Sequence, residues 1–205
     1  MALVGCGGLG ALGTAEGSSA GTSILGSILG AATNGDALGN ILTSVLGADK
    51  PSETQIVSTW KYVQPGVAFT SDNLLAKAGG EVAASQIKEK LSSYYSQLGV
   101  KSSNTYFTFG SNKQFEGKLL GTSLSGTYTY DASSGAINMK TALLGINING
   151  YITGNTNGIG LLFEGKKLLS LLQTVASLSG NSTLSTIGDL STNYDGLRLG
   201  FEMSR

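Results

Sequence analysis

Between Asn104 and Glu164 the chain repeats with period two, and this constrains the fold more than any other feature. Phe107 and Phe109 fall on one side of an extended backbone, with Tyr106 and Thr108 on the other. The same parity carries Phe115, Gly117 and Leu119, then Leu124, Gly126, Tyr128 and Tyr130, then Ile137 and Met139. Leu144, Ile146 and Ile148 follow, and Ile159, Leu161 and Phe163 close the run. Turn residues separate most of these runs, at Gly110-Ser111-Asn112, Asp131 to Gly135 and Gly154 to Gly158. Close spacing of this kind predicts an antiparallel meander and leaves no room for βαβ crossovers.

The flanks supply what a sheet of six strands lacks. Ile56 to Val63 reads as a strand with Trp60 and Tyr62 on one face, ended by a turn at Pro65-Gly66. Thr70 or Ser71 is placed to cap a helix, with Asp72 in its first turn and Gly79-Gly80 interrupting it. A further helix runs to about Leu98 with Ala83, Ile87, Leu91, Tyr94 and Leu98 along one stripe, and Gly99 stops it. Lys77, Glu81, Lys88, Glu89 and Lys90 then form its solvated side. Lys166 to Leu178 reads as another helix through Leu168, Leu171, Leu172 and Val175, followed by a shorter one from Asn181 or Ser182 to about Leu190. Leu197, Leu199, Phe201 and Met203 make a last strand, with Arg198, Glu202 and Ser204 on its other face. The total is about eight antiparallel strands. That is enough to close an up-and-down barrel without free edges, and an open sandwich is the other arrangement.

Residues 1–50 are of a different kind. They hold 12 of the 31 glycines and no aromatic residue, which describes a Gly-rich leader ahead of a barrel domain at 51–205. One or two short helices fit within it, at Ile24 to Leu29 and from Leu38 to Leu46, the second with Asp36 as N-cap and Gly47 after its end. Leu3-Val4-Gly5-Cys6 has the form of a bacterial lipobox, which makes Cys6 a lipidation candidate. The basic and apolar regions of a signal peptide do not precede it, so a cysteine in a loop is the competing reading.

Composition excludes more than it selects. Lys plus Arg and Asp plus Glu are 13 each, so the basic footprint of a nucleic-acid binder is absent. The chain has no His and one Cys. Ser-His and Cys-His nucleophile pairs, imidazole bases, His-containing zinc sites and an internal disulfide are therefore excluded, and no cofactor is expected. No apolar run reaches the roughly 20 residues that span a bilayer. Asp189 and Asp195 are too readily explained as capping and turn residues to be an acid–base pair. Asn147, Asn149, Asn155 and Asn157 lack the charged oxygens that a hard cation wants. These facts point away from an enzyme.

Ser58-Thr59-Trp60 resembles the Gly-x-Trp signature of lipocalins, with Ser in place of Gly. The stretch from Trp60 to Arg205 resembles a lipocalin-like family of unknown function from Bacteroides-type Gram-negative bacteria. The residues that carry the likeness include Trp60-Lys61-Tyr62, Phe69 to Leu75, Gly79-Gly80, Thr105 to Phe109, Gly126-Thr127-Tyr128, Leu161-Leu162-Phe163 and Tyr194 to Arg198. The resemblance implies a calycin-type barrel and export to the periplasm or outer membrane, with no activity attached. Helices between the first and second strands depart from an ordinary lipocalin and bear on whether the barrel mouth is open.

Three site expectations follow. Tyr128 and Tyr130 share the inward parity of Leu124 and, with Tyr62, are candidates to line a cavity for a small apolar ligand, against a plain packed core. Cys6 would be the means of any membrane tethering. By the resemblance, a basic side chain lies across Trp60, and strand parity selects Arg205, with Arg198 as the alternative if the last strand slips by a bulge. Two functions remain open: an exported, non-enzymatic ligand binder, or a structural or interaction module of the cell envelope whose barrel is filled by side chains.

Overall fold

In a computed structural model the chain closes eight antiparallel strands into a ring, each paired with its neighbours in sequence and the last with the first. The structure describes residues 50–70, 80–142, 145–155, 158–178 and 196–205. Cys6, the leader helices, the helix expected after Thr70, the one from Asn181 to Leu190, Asp189, Asp195 and Asn157 lie outside the described residues.

A single helical turn, α1 (Glu53–Ile56), precedes β1 (Thr59–Phe69). Ser52 and Gln55 form a capping box, in which the Ser52 N–H donates to Gln55 Oε1 at 2.6 Å. The long helix α2 (Gly80–Gln97) separates β1 from β2 (Tyr106–Phe109). It buries Ala84, Ile87, Leu91, Tyr94 and Tyr95, and Leu98 just after it is buried too. Gly99 follows at φ +73°, the left-handed conformation that ends helices at little cost for glycine. The meander continues through β3 (Gln114–Leu119), β4 (Thr122–Asp131), β5 (Ala136–Thr141), β6 (Asn147–Asn155) and β7 (Gly158–Glu164). Helix α3 (Gly165–Leu178) follows directly, and β8 (Leu197–Ser204) completes the ring.

The register carries one face around the barrel. Trp60 stands opposite Phe107, Phe107 opposite Gly117, Gly117 opposite Leu124, Tyr128 opposite Met139 and Met139 opposite Ile148. Across the seam, Leu161 meets Phe201 and Ile159 meets Met203. Nearly every large apolar residue of this set is buried, and together they form one core.

Two sequence expectations are corrected here. Ile56 belongs to α1, and the first strand does not end at Pro65-Gly66. It runs on to Phe69, paired with β8 from Gln64↔Glu202 to Phe69↔Leu197. Val63, 58% exposed, is the extra residue of a bulge between Tyr62 and Gln64. Because β2 pairs only with Thr59–Lys61, β1 has a single ladder beyond the bulge, and a residue without an N–H is tolerated there. Gly66 serves close approach and makes no turn: a Cβ on it would lie 2.8 Å from Leu162 Cδ2. Opposite it in register, a Cβ on Gly200 would lie 2.0 Å from the Leu161 carbonyl oxygen. At Gly200 the obstacle is backbone and admits no side chain larger than hydrogen, whereas at Gly66 the Leu162 side chain would have to shift.

Candidate functional site

One end of the barrel is sealed by residues 50–56. Pro51 and Ile56 are buried, and the backbone of this short segment accepts three side-chain hydrogen bonds from the barrel. Trp60 Nε1 donates to the Ile56 carbonyl at 2.8 Å, Tyr130 Oη to that of Pro51 at 2.7 Å, and Arg205 Nη2 to that of Gln55 at 3.2 Å. Lys50 Nζ reaches the Ser133 carbonyl at 2.7 Å, and Glu53 pairs with Lys113 in the β2–β3 turn. The Arg205 guanidinium lies over the indole of Trp60, 5.0 Å from the ring. Trp60 is 3% exposed, so this cation–π contact covers a ring already desolvated by the core. Arg198 lies elsewhere, 4.7 Å over the ring of Tyr151 with Nη1 3.5 Å from Glu164.

The structure does not bring Tyr62, Tyr128 and Tyr130 to one cavity. Tyr128 is buried against Phe109, ring centroids 5.1 Å apart, and its hydroxyl donates to the Gly110 carbonyl at 2.8 Å. Lys113 Nζ stands 5.9 Å from the same ring. The hydroxyl of Tyr130 is committed to Pro51. Burial raises the phenol of Tyr128, and burial with the nearby Asp131 carboxylate raises that of Tyr130, so both stay neutral donors. Tyr62 packs edge-on against Tyr95 and Phe201 at 5.9 and 6.0 Å. Desolvation, followed by the Glu202 carboxylate, pushes its phenol up to about 12.

Sequence reasoning missed the grip of α2 on β8. Lys88, expected among solvated residues, donates to Glu202 Oε1 at 2.9 Å, while Gln64 Nε2 donates to Oε2 at 2.5 Å. Tyr95, 1% exposed, donates its hydroxyl to the Gly200 carbonyl at 3.0 Å. An acidic residue between Phe201 and Met203, in a strand otherwise apolar on that stretch, was the available signal.

The opposite end of the barrel differs in character. Helix α3 leaves β7 there, and a crevice of about 330 Å³ opens between α3 and the start of β6. Ile146, Ile148, Phe163 and Leu171 supply apolar walls, with Lys166, Lys167, Ser170 and Thr174 around them. Ile148 and Phe163 are core residues, so the crevice reaches the edge of the core. A volume at the lower end of the range for small-molecule sites, with apolar walls and a few polar groups, suits a small apolar or amphipathic molecule. Among the described residues no cluster of acidic or thiol side chains converges as a metal would require, and no helix is long and apolar enough to cross a membrane.

A ring of eight up-and-down strands, with its first-strand Trp under an Arg from the last and a segment before the first strand sealing that end, defines a lipocalin-like barrel. The chain belongs to the family described as lipocalin-like domain (DUF4923), whose model matches residues 29–205. The match begins inside the stretch read from sequence as leader. No curated protein matches the chain. Among solved structures it is similar to a DUF4847 family protein from Bacteroides vulgatus ATCC 8482, at 18% identity over 56% of this chain and 90% of that one, with a TM-score of 0.33.

Proposed function

We propose that this lipocalin-like protein is an exported, non-enzymatic domain that binds a small apolar molecule in the crevice between α3 and β6. The carrying observation is the apolar volume of about 330 Å³ against Ile148 and Phe163. Tyr128 and Tyr130 drop out of the ligand reading because backbone carbonyls already take their hydroxyls. Support for export comes from the low charge, the Gly-rich leader and the lipobox-like run ending at Cys6, with the periplasm or outer membrane as destination. The absence of His and the lone Cys support a role without catalysis.

Titration with an apolar fluorescent probe tests the site. Saturable binding is expected, and Thr174→Trp, which fills the crevice from the helix side, weakens it about tenfold or more, equivalent to about 1.4 kcal/mol. Tyr128→Phe leaves it unchanged. Binding that ignores Thr174→Trp removes the crevice as the site. No saturable binding at all favours the second reading, an envelope interaction module, which rests on the aromatic packing of the barrel core. Export is checked by fractionating cells that express the native gene with any upstream start. Fatty-acid labelling that disappears in Cys6→Ala distinguishes a lipid-anchored form.

A further inference from the structure

Away from that crevice, a notch of about 230 Å³ is lined by two cationic residues, Lys50 and Arg198, with Thr70, Ser134, Tyr151 and Thr153 around them. No carboxylate lines it. Arg198 is held in a fixed pose, its guanidinium 4.7 Å over Tyr151 and Nη1 3.5 Å from Glu164. Its Nε is buried and has no hydrogen-bond partner. An orphaned buried donor on a charged group calls for a specific acceptor, because leaving it unmade costs more than most hydrogen bonds contribute. Both nearby carboxylates are engaged. Glu164 also takes Lys167 at 2.9 Å, and Asp131 accepts the Ser133 and Ser134 hydroxyls at 2.6 Å each. Lys50 uses one donor on the Ser133 carbonyl, which leaves two of its three hydrogens uncommitted by that bond.

We infer that this notch is a subsite for a small oxyanion, a carboxylate or phosphate group, with the Arg198 guanidinium as the inner cation and Lys50 as the outer one. A planar guanidinium already fixed by an aromatic ring and a carboxylate loses little freedom when it binds such a group. Thr70, Tyr151 and Thr153 beside it suit the polar remainder of a small organic acid or phosphate ester. The inference does not depend on the apolar crevice, with which the notch shares no residue.

The test titrates inorganic phosphate, and separately acetate, into the full chain at constant ionic strength kept with sodium chloride. The readout is the Arg198 Nε–H resonance, assigned by its loss in Arg198→Met. A saturable shift is expected with at least one anion. Lys50→Met, at the exposed rim, should weaken it about fivefold, roughly the share of one partly screened charge. Phosphate binding without acetate binding assigns a phosphate ester, and the reverse assigns a carboxylate. Lys61→Met, on an exposed position of β1, should bind as wild type. A resonance that moves with neither anion, or an affinity unaltered in Lys50→Met, overturns the assignment.

Discussion

The arc from β2 to β6 and the sector made of β7, β8 and β1 are built on different rules. Along β3 the burial alternates: Phe115, Gly117 and Leu119 are buried, Gln114 and Glu116 exposed. In β4, Leu124 and Tyr128 are buried while Ser123, Ser125, Thr127 and Thr129 are exposed. Along β7, five consecutive residues from Ile159 to Phe163 are buried, as are Leu199 to Met203 in β8 and Pro65 to Phe69 in β1. Helix α2 packs on β1, and α3 packs on β7 and β8. A strand with one wet face must alternate, whereas one covered on both faces need not. The bulge of the ring and its partly buried Lys88–Glu202 pair both lie in the sector where cover is double.

If that contrast is real, the largest effect comes from the face opposite the core. Leu162→Ala in β7 should cost about 2–5 kcal/mol, as for a core leucine. Thr127→Ala, at an exposed position of β4, should change stability by under about 0.5 kcal/mol. Urea denaturation measures both. Equal and small effects would erase the distinction between the two regions.

The contrast also explains what the sequence made legible. Alternation placed β2 to β5, because Phe, Leu and Ile on one parity face Thr, Ser and Lys on the other, but it set the next strand at Leu144 to Ile148, whereas β6 runs from Asn147 to Asn155. The strands holding Leu161-Leu162-Phe163 and Leu197 to Met203 were readable from the parity of Ile159, Leu161 and Phe163 and of Leu197, Leu199, Phe201 and Met203, although both of their faces are buried. In the second half of β1 the run Pro65-Gly66-Val67-Ala68-Phe69 carries no alternation, and its Pro-Gly pair imitates a turn. Closure and the nearness of Trp60 to Arg205 were legible from parity and edge avoidance. The sealing segment was not, although Ser52 and Gln55 offered the spacing of a capping box. Tyr128 and Tyr130 had the right parity for a cavity, but parity says nothing about which carbonyl a hydroxyl meets. The crevice under α3 depends on a helix and a strand start far apart in sequence, which no local pattern reports.

The next effect in size tests the charged clamp of the covered sector. The carboxylate of Glu202 has only 11% of its side chain exposed and is satisfied by Lys88 and Gln64. Lys88→Met leaves that carboxylate short of its cationic partner and should cost about 1.5–3 kcal/mol, the scale of a charged hydrogen bond. Lys167→Met removes a partner of Glu164 from a pair in which both side chains are about half exposed, and should cost under about 1 kcal/mol. Similar losses would mean that α2 does not shield β8.

A smaller effect lies at the seam between the regions. Arg205→Met keeps apolar bulk near Trp60 but removes the cation and its bond to Gln55, for about 0.5–2 kcal/mol. Trp60 is the only tryptophan, so its emission reports the site directly. A red shift is expected as the indole face gains water, with little change in the far-ultraviolet spectrum.

The smallest effects separate the two regions by pH. On the arc, Asp131 at the β4–β5 turn is lowered from 3.8 to about 2 by hydrogen bonds from the side chains of Ser133 and Ser134 and from the Ser133 backbone. Its folded pKa is depressed, so its contribution is present above about pH 4 and is lost as pH falls toward 2. In the covered sector, Tyr62 is raised from 10.0 to about 12, first by desolvation and then by Glu202. Its folded pKa is elevated, so its contribution is complete below pH 10 and is lost as pH rises toward 12. Asp131 is exposed and Tyr62 only partly buried, so solvent screening keeps both effects modest. Asp131→Asn should flatten the acid limb of a melting-temperature profile and leave the alkaline limb alone. Tyr62→Phe should do the reverse, and it should remove one late-titrating phenol from the absorbance change near the alkaline end. If either substitution altered both limbs equally, its effect would not come from the titration of that group, and the difference in burial would have no counterpart in pH response.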